Sequence, residues 1–256
     1  MKKVSFIGSG NVATHLAKGL YSKGVDVYQV YSKSIGNAEE LAEKVDALAI
    51  QSLACLNLHK VDLLIIAIKD DIIENLANSI TSSNTIVVHT SGTQSLDVLK
   101  EHRLRGVFYP LQTFSKQTEM DLTQVPFCIE SNDTEVEGKL INWACMLSND
   151  VRVINADTRK EIHLAAVVAC NFTNHMFALA EELLEESNAD FSILKPLIQE
   201  TVAKAMHQHP KEVQTGPAVR GDNEVIKNHL ERLESNPNLQ TLYSELSNSI
   251  IKLKNE

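Results

Sequence analysis

The apolar positions of this chain change their period once. Over the first half, short apolar runs recur, separated by stretches in which apolar residues return every three or four positions. The runs predict strands at residues 4–7, 25–31, 63–68, 85–89, 106–109, 127–130 and 151–154, with a further short one at 47–50. The intervening stretches predict helices at 12–23, 37–45, 71–79, 96–100 and 135–147. Leu63-Leu64-Ile65-Ile66-Ala67-Ile68 has no polar alternation, as expected of a strand covered on both faces. Strand and helix in alternation predict an α/β domain with a doubly wound, mainly parallel sheet.

Beyond about residue 156 the strand-type runs cease. Thr158-x-x-Glu161 predicts a capping box. The helix behind it, to about residue 187, is apolar nearly all round (Leu164, Val167, Val168, Phe172, Phe177, Leu183), the pattern of a helix buried among others. Helices at 193–207, 224–233 and 238–253 should follow, the last entered through Asn236-Pro237. The predicted division is residues 1–155 for the α/β domain and 156–256 for an all-α C-terminal domain.

Composition narrows the function classes. A net charge of −9 over 256 residues argues against non-specific nucleic-acid binding. Cys55, Cys128, Cys145 and Cys170 lie far apart, which predicts buried, reduced thiols in a cytoplasmic protein rather than disulfides or a zinc site. The first strand begins at once, so no signal peptide is expected. No unbroken apolar run reaches the ~20 residues that cross a bilayer, so no membrane association is expected.

The most informative segment directly follows the first predicted strand. Gly8-Ser9-Gly10-Asn11-Val12-Ala13 is a Gly-x-Gly-x-x-Ala turn that opens a helix, the pattern of a dinucleotide-binding turn. Gly8 permits the bend, Gly10 lets a pyrophosphate approach the backbone, and Ala13 lets the helix lie close on the sheet. Ser9, Asn11 and Val12 bring their amides to the positive helix end. Tyr31-Ser32-Lys33-Ser34 then closes the second strand, where an NAD site carries the carboxylate that holds the ribose. Asp26 comes too early for that role. The cation of Lys33 and the hydroxyls of Ser32 and Ser34 suit a 2′-phosphate, so the expected cofactor is NADP. Two more loops should line the groove, because ligands bind beyond the carboxyl ends of parallel strands. One is Ala67-Ile68-Lys69, where Lys69 lies over ribose or phosphate or faces Asp70 and Asp71. The other is Thr90-Ser91-Gly92, either a close backbone approach with hydroxyls or a plain turn.

These segments resemble the Rossmann-like NADP oxidoreductases, a group similar to pyrroline-carboxylate reductase, the β-hydroxyacid dehydrogenases and ketopantoate reductase. Thr215-Gly216-Pro217-Ala218-Val219-Arg220-Gly221-Asp222, with His229-Leu230 and the run from His163 to Phe172, resembles the helical domain of one branch of that group. The resemblance spans nearly the whole chain. It implies a two-domain Rossmann reductase, often a homodimer through the helical domain, and makes ketopantoate a candidate substrate.

A reductase must hold a carbonyl or imine near the nicotinamide and supply a proton. Asn171 interrupts an apolar stretch, with Asn174 and His175 one turn on. Asn171 is the candidate to hold a substrate oxygen, Asn174 to bind substrate, and His163 to act as general acid; each has a structural alternative in capping or packing. β-Hydroxyacid dehydrogenases carry a lysine one turn before their asparagine, where this chain has Val167. Arg220 either clamps a substrate carboxylate or pairs with Asp222 or ties the domains together. The aromatics of Phe108-Tyr109-Pro110-Leu111-Gln112-Thr113-Phe114 either close over nicotinamide or form core. His207 and His209 lack partners at metal-ligand spacing, and no metal is expected. The rival expectation is a non-catalytic NADP-binding redox sensor or interaction protein.

Overall fold

The computed structural model describes residues 2–82 and 84–254. Its eight-stranded sheet has the order β3-β2-β1-β4-β5-β6-β7-β8. The strands are β1 (Lys3–Ile7), β2 (Asp26–Tyr31), β3 (Leu48–Ile50), β4 (Leu63–Ile66), β5 (Ile86–His89), β6 (Arg105–Pro110), β7 (Phe127–Ser131) and β8 (Val151–Val153). The first six strands are parallel; β7 runs antiparallel to β6, and β8 follows β7. The connections reverse direction between β1 and β4, which makes the crevice beyond their carboxyl ends a topological switch point.

Alternation along β4 explains its wholly apolar sequence. Leu63 and Ile65 pack into one core cluster with Leu16 and Leu20 of α1 (Asn11–Ser22). Leu64 and Ile66 pack into the opposite cluster with Ile73 and Ala77 of α3 (Ile73–Asn78). All four β4 side chains are fully buried, each contributing about 2 kcal/mol. Helices α2 (Ile35–Lys44) and α4 (Thr134–Ala144) complete the cover. The predicted helix at 96–100 is a 3₁₀ turn, Leu96–Leu99. Of the four thiols only Cys128 is buried; all four are free.

Two compact units divide at 170/171, so α5 (Ala156–Ala166) belongs to the sheet-containing unit. Its N-cap is Asn155, whose Oδ1 accepts from the Thr158 amide at 2.9 Å. The expected Thr158–Glu161 box therefore does not form, because the helix has already begun. The chain stays helical from Ala156 to Glu185, passing through a π segment (Val167–Phe172) into α6 (Thr173–Glu185). Burial around this helix is the main correction. Leu164 is 58% exposed and Phe172 56%, so the all-round apolar pattern is not explained by packing within the chain. By length and composition the same helix could span a bilayer.

The second unit holds α6, α7 (Lys195–His207), α8 (Pro217–Arg220), α9 (Asn223–Arg232) and α10 (Pro237–Lys254). Gly221 takes a left-handed φ of +74° between α8 and α9, and Asp222 caps α9 by accepting from the Val225 amide. Asn236 caps α10 as expected, accepting from Leu239 N at 3.2 Å. The His229 ring and the Tyr243 hydroxyl join α9 to α10 at 2.9 Å.

Candidate functional site

The carboxyl ends of β1, β2, β4, β5 and β6 bring the predicted loops of the first unit together. Gly8 adopts φ +110°, and its amide donates to Tyr31 O at 2.8 Å. A Cβ at Gly8 would stand 2.1 Å from Ala67 O, so only glycine fits where β1 meets the loop after β4. Ser9 is buried. Gly10, the N-cap of α1, is exposed and has open space where a Cβ would go. No side chain caps α1, and its first turn has no acid. The helix-start amides of Asn11, Val12 and Ala13 therefore offer donors to an anion. The Asn11 side chain is otherwise engaged, donating to Phe114 O at 2.9 Å. This combination of an empty approach at Gly10 and an uncapped helix start fits a dinucleotide pyrophosphate.

Beyond β2, Ser32 is half-buried, while Lys33 and Ser34 are exposed. Gln51 Nε2 donates to Lys33 O at 3.0 Å and ties this turn to the end of β3. Ser34 is the N-cap of α2, yet its hydroxyl makes no capping bond, and the first turn of α2 lacks an acid. Among the described residues Lys33 forms no ion pair. A cation and free hydroxyls at a helix start suit a phosphate.

The loops after β4 and β5 are locked to each other. Asp70 Oδ2 accepts from Ser91 Oγ at 2.6 Å and from Thr93 Oγ1 at 2.5 Å. Ser91 Oγ in turn accepts from the Thr93 and Gln94 amides. The Ser91 hydroxyl thus holds the loop's shape. Ala67, Ile68 and Thr90 are half-buried, and Lys69 is exposed with no ion pair to Asp70 or Asp71 among the described residues.

Gly92 has a different reason to be glycine than a cofactor's approach. A Cβ there would lie 2.6 Å from His163 Nδ1 and 2.9 Å from Tyr109 Cζ. His163, on α5, is half-buried, and its Nδ1 is 3.0 Å from the Tyr109 hydroxyl at the end of β6. Burial pushes the Tyr109 phenol up to about 12. One turn before His163, Arg159 is fully buried; it pairs with Glu130 of β7 and donates to Gln94 O at 2.5 Å. Beside it, burial and then the Arg159 cation push the His89 imidazole down to about 4. His89 Nδ1 accepts from the Ser91 amide at 3.2 Å. Neutral His89 and charged Arg159 thus support the loop and helix that carry Gly92 and His163.

Tyr109, Arg159, Glu130, Asp70 and His89 are the residues the sequence pattern did not single out for these roles. Of the other aromatics in the stretch, Phe108 is core, edge-on to Phe127 at 5.1 Å, and Phe114 packs on His15 of α1 at 5.2 Å. The remaining candidates lie in the second unit. Asn171 sits in the π segment, and Asn171, Asn174 and His175 are all exposed rather than set in a buried helix. Arg220 ends α8 and is exposed; Asp222 is used as a cap, and Arg220 makes no ion pair with it among the described residues.

Residues 3–92 match the family described as NADP oxidoreductase coenzyme F420-dependent, and residues 125–250 match the Domain of unknown function (DUF2520). A solved structure from Bacteroides fragilis, provisionally named an NADP oxidoreductase, is 44% identical, with 98% of each chain covered and a TM-score of 0.92. A Thermotoga maritima protein is 22% identical over 99% of this chain and 100% of its own, with a TM-score of 0.83. The 1-pyrroline-5-carboxylate reductase of Streptococcus pyogenes is 17% identical over 99% and 98%, with a TM-score of 0.64; these last two share the fold. No curated protein matches the chain.

Proposed function

The chain belongs to the Rossmann-type NADP oxidoreductases, and from that premise we propose that it is an NADPH-preferring reductase of a small, carboxylate-bearing carbonyl or imine, with ketopantoate among its candidate substrates. The observation that carries this is the pair of helix starts, α1 and α2, with no capping side chain and no acid in the first turn, the second entered through Ser32-Lys33-Ser34. Bound NADPH supplies the hydride. The amides behind Gly8-Ser9-Gly10 bind the pyrophosphate, and Lys33 with Ser32 and Ser34 takes the 2′-phosphate. Ala67, Ile68, Lys69, Thr90, Ser91 and Gly92 line the groove through their backbone and loop shape. His163 gives a proton to the atom that gains negative charge. In the helical half, Asn171 and Asn174 are the proposed polar ligands of the substrate, and Arg220 its carboxylate clamp.

We also propose a homodimer through the helical half. Among the described residues that half buries only Ala218, Leu233 and Leu239 of its apolar side chains, while Ile193, Leu197 and Met206 stand more than 60% exposed. A second copy, rather than lipid, is the proposed cover for the helix through 156–185, because Asn171, Asn174 and His175 would be unsatisfied in hydrocarbon. The free thiols and use of NADPH favour the cytoplasm.

Calorimetry with NADPH and NADH tests the cofactor choice. NADPH should bind at least ~10-fold more tightly, and Lys33→Ala should remove most of that margin without affecting NADH. Equal affinity for the two in the wild type overturns it. Following NADPH absorbance over keto acids, including ketopantoate, and cyclic imines tests the substrate class. Firm NADPH binding with no turnover across that panel removes it.

A further inference from the structure

We propose that Tyr109 is a positioning residue that holds His163 Nδ1 as a hydrogen-bond acceptor, so that Nε2 carries the proton and presents it to the reacting atom. This rests on the reading of His163 as the proton donor, and it names what makes that ring ready.

The pair is held from three sides. Tyr109 comes from the end of β6, His163 from α5, and Gly92 from the loop after β5, close enough that a methyl group could not enter between them. The two rings meet edge to face at 6.0 Å, and the hydroxyl stands 3.0 Å from Nδ1. Arg159, one helical turn earlier, fastens α5 to β7 through Glu130 and to the β5 loop through Gln94 O. The ring therefore has little freedom to leave the phenol.

Two hydrogen-bond directions satisfy the 3.0 Å separation when the imidazole is neutral. Either the phenol donates to Nδ1, or an Nδ1–H donates to the phenol oxygen. A phenol O–H is the stronger donor and an imidazole nitrogen the stronger acceptor, so the first direction prevails. Burial also keeps the phenol protonated across the physiological range. Among the described residues the Tyr109 hydroxyl has no other partner, and His163 Nε2 has none. With Nδ1 accepting, the single proton of the neutral ring must sit on Nε2. When the ring is cationic, Nδ1–H donates back to the phenol oxygen and Nε2 still bears a proton. In both charge states the nitrogen left free of the phenol is a donor. Its N–H stabilises negative charge on a carbonyl oxygen or imine nitrogen as that charge develops; full transfer of the proton starts from the cationic ring and leaves it neutral, with Nδ1–H held by the phenol oxygen.

The test uses the full chain without cofactor, labelled with ¹⁵N at histidine, and long-range ¹H–¹⁵N correlation at a pH where His163 is neutral. The His163→Asn variant identifies the resonance. Wild type should show the Nε2–H tautomer with Nδ1 as the acceptor nitrogen, and Tyr109→Phe should move both nitrogens toward the averaged shifts of free imidazole. An Nδ1–H tautomer in wild type overturns the proposal, whether or not the variant folds; so does an unchanged spectrum in folded Tyr109→Phe. In turnover, Tyr109→Phe should lower kcat about 10-fold with little change in the KM for NADPH, because the phenol orders the donor and does not bind the cofactor. The underlying acid assignment fails separately: His163→Asn with full kcat removes that assignment, even where the tautomer is as stated.

Discussion

Arg159 of α5 and Glu130 of β7 form an ion pair whose arginine is sealed from solvent while the glutamate side chain keeps a 20% exposure. The asymmetry makes the two halves of the pair unequal. Glu130→Gln strands a buried cation, which costs about 3–5 kcal/mol. Arg159→Met leaves a carboxylate that can still reach water, so its cost is smaller, about 2–3 kcal/mol. Urea unfolding of both variants should show that order. The reverse order, or a loss under ~1 kcal/mol for Glu130→Gln, would mean that the pair does not anchor α5.

The two glycines of the first turn should separate folding from binding. Gly8 combines a φ of +110° with a neighbour 2.1 Å from any added Cβ, so Gly8→Ala should destabilise the fold by several kcal/mol, on the order of 3. Gly10, at φ −76° with open space around it, should accept alanine within about 0.5 kcal/mol. Its added methyl would meet the pyrophosphate, and NADPH affinity should fall at least ~10-fold. Thermal unfolding with calorimetry reads both effects. Wild-type affinity in Gly10→Ala would place the phosphates elsewhere.

His89 gives the fold an acid-sensitive position. Burial, and after it the Arg159 cation, pushes its pKa in the fold down to about 4, against about 6.5 when unfolded, with Asp70 opposing. Between those two values the unfolded chain binds the proton that the folded chain refuses. Stability is therefore full above about pH 6.5 and falls as the pH drops toward 4, by at most about 3 kcal/mol. His102 is lowered by burial as well and contributes in the same direction. The decisive comparison is the slope of unfolding free energy between pH 7 and pH 4.5 in wild type and in His89→Gln. The variant should have the shallower slope, and equal slopes would assign the acid sensitivity to other groups.

The sheet was legible because its signals are local. An unbroken apolar run of strand length, such as the one that holds Leu63–Ile66, reads as a strand covered on both faces, and Gly8-Ser9-Gly10 declares the turn that follows β1. The surroundings of His163 were not legible, because Tyr109 and His163 lie 54 positions apart, Glu130 and Arg159 29, and Gln94 and Arg159 65. No periodicity links such pairs; only the strand order brings them together. Gly92 illustrates the limit: its residue type announces a close approach, but not that the approaching groups are an imidazole and a phenol. The helix through 156–185 shows the other limit. Hydropathy reports that a surface avoids water, and it does so equally whether the cover comes from the same chain or another.

That surface leads to the last prediction. The second unit begins at Asn171 and is compact, yet among its described residues the only buried apolar side chains are Ala218, Leu233 and Leu239. So small a buried core leaves most of this unit's apolar surface in water. The apolar area it lacks is present but uncovered: Ile193, Leu197, Val202 and Met206 lie along the entry to α7 and α7 itself, none of whose residues is buried. A second copy brings an identical apolar surface, and a two-fold arrangement covers both at once. Light scattering at micromolar concentration should therefore give twice the 28.4 kDa chain mass. Leu197→Glu with Met206→Glu should shift the protein to monomer and lower its thermal midpoint by several degrees, since two charges would be buried at the contact. A monomeric wild type at that concentration would leave the apolar surface to a different partner and remove the dimer.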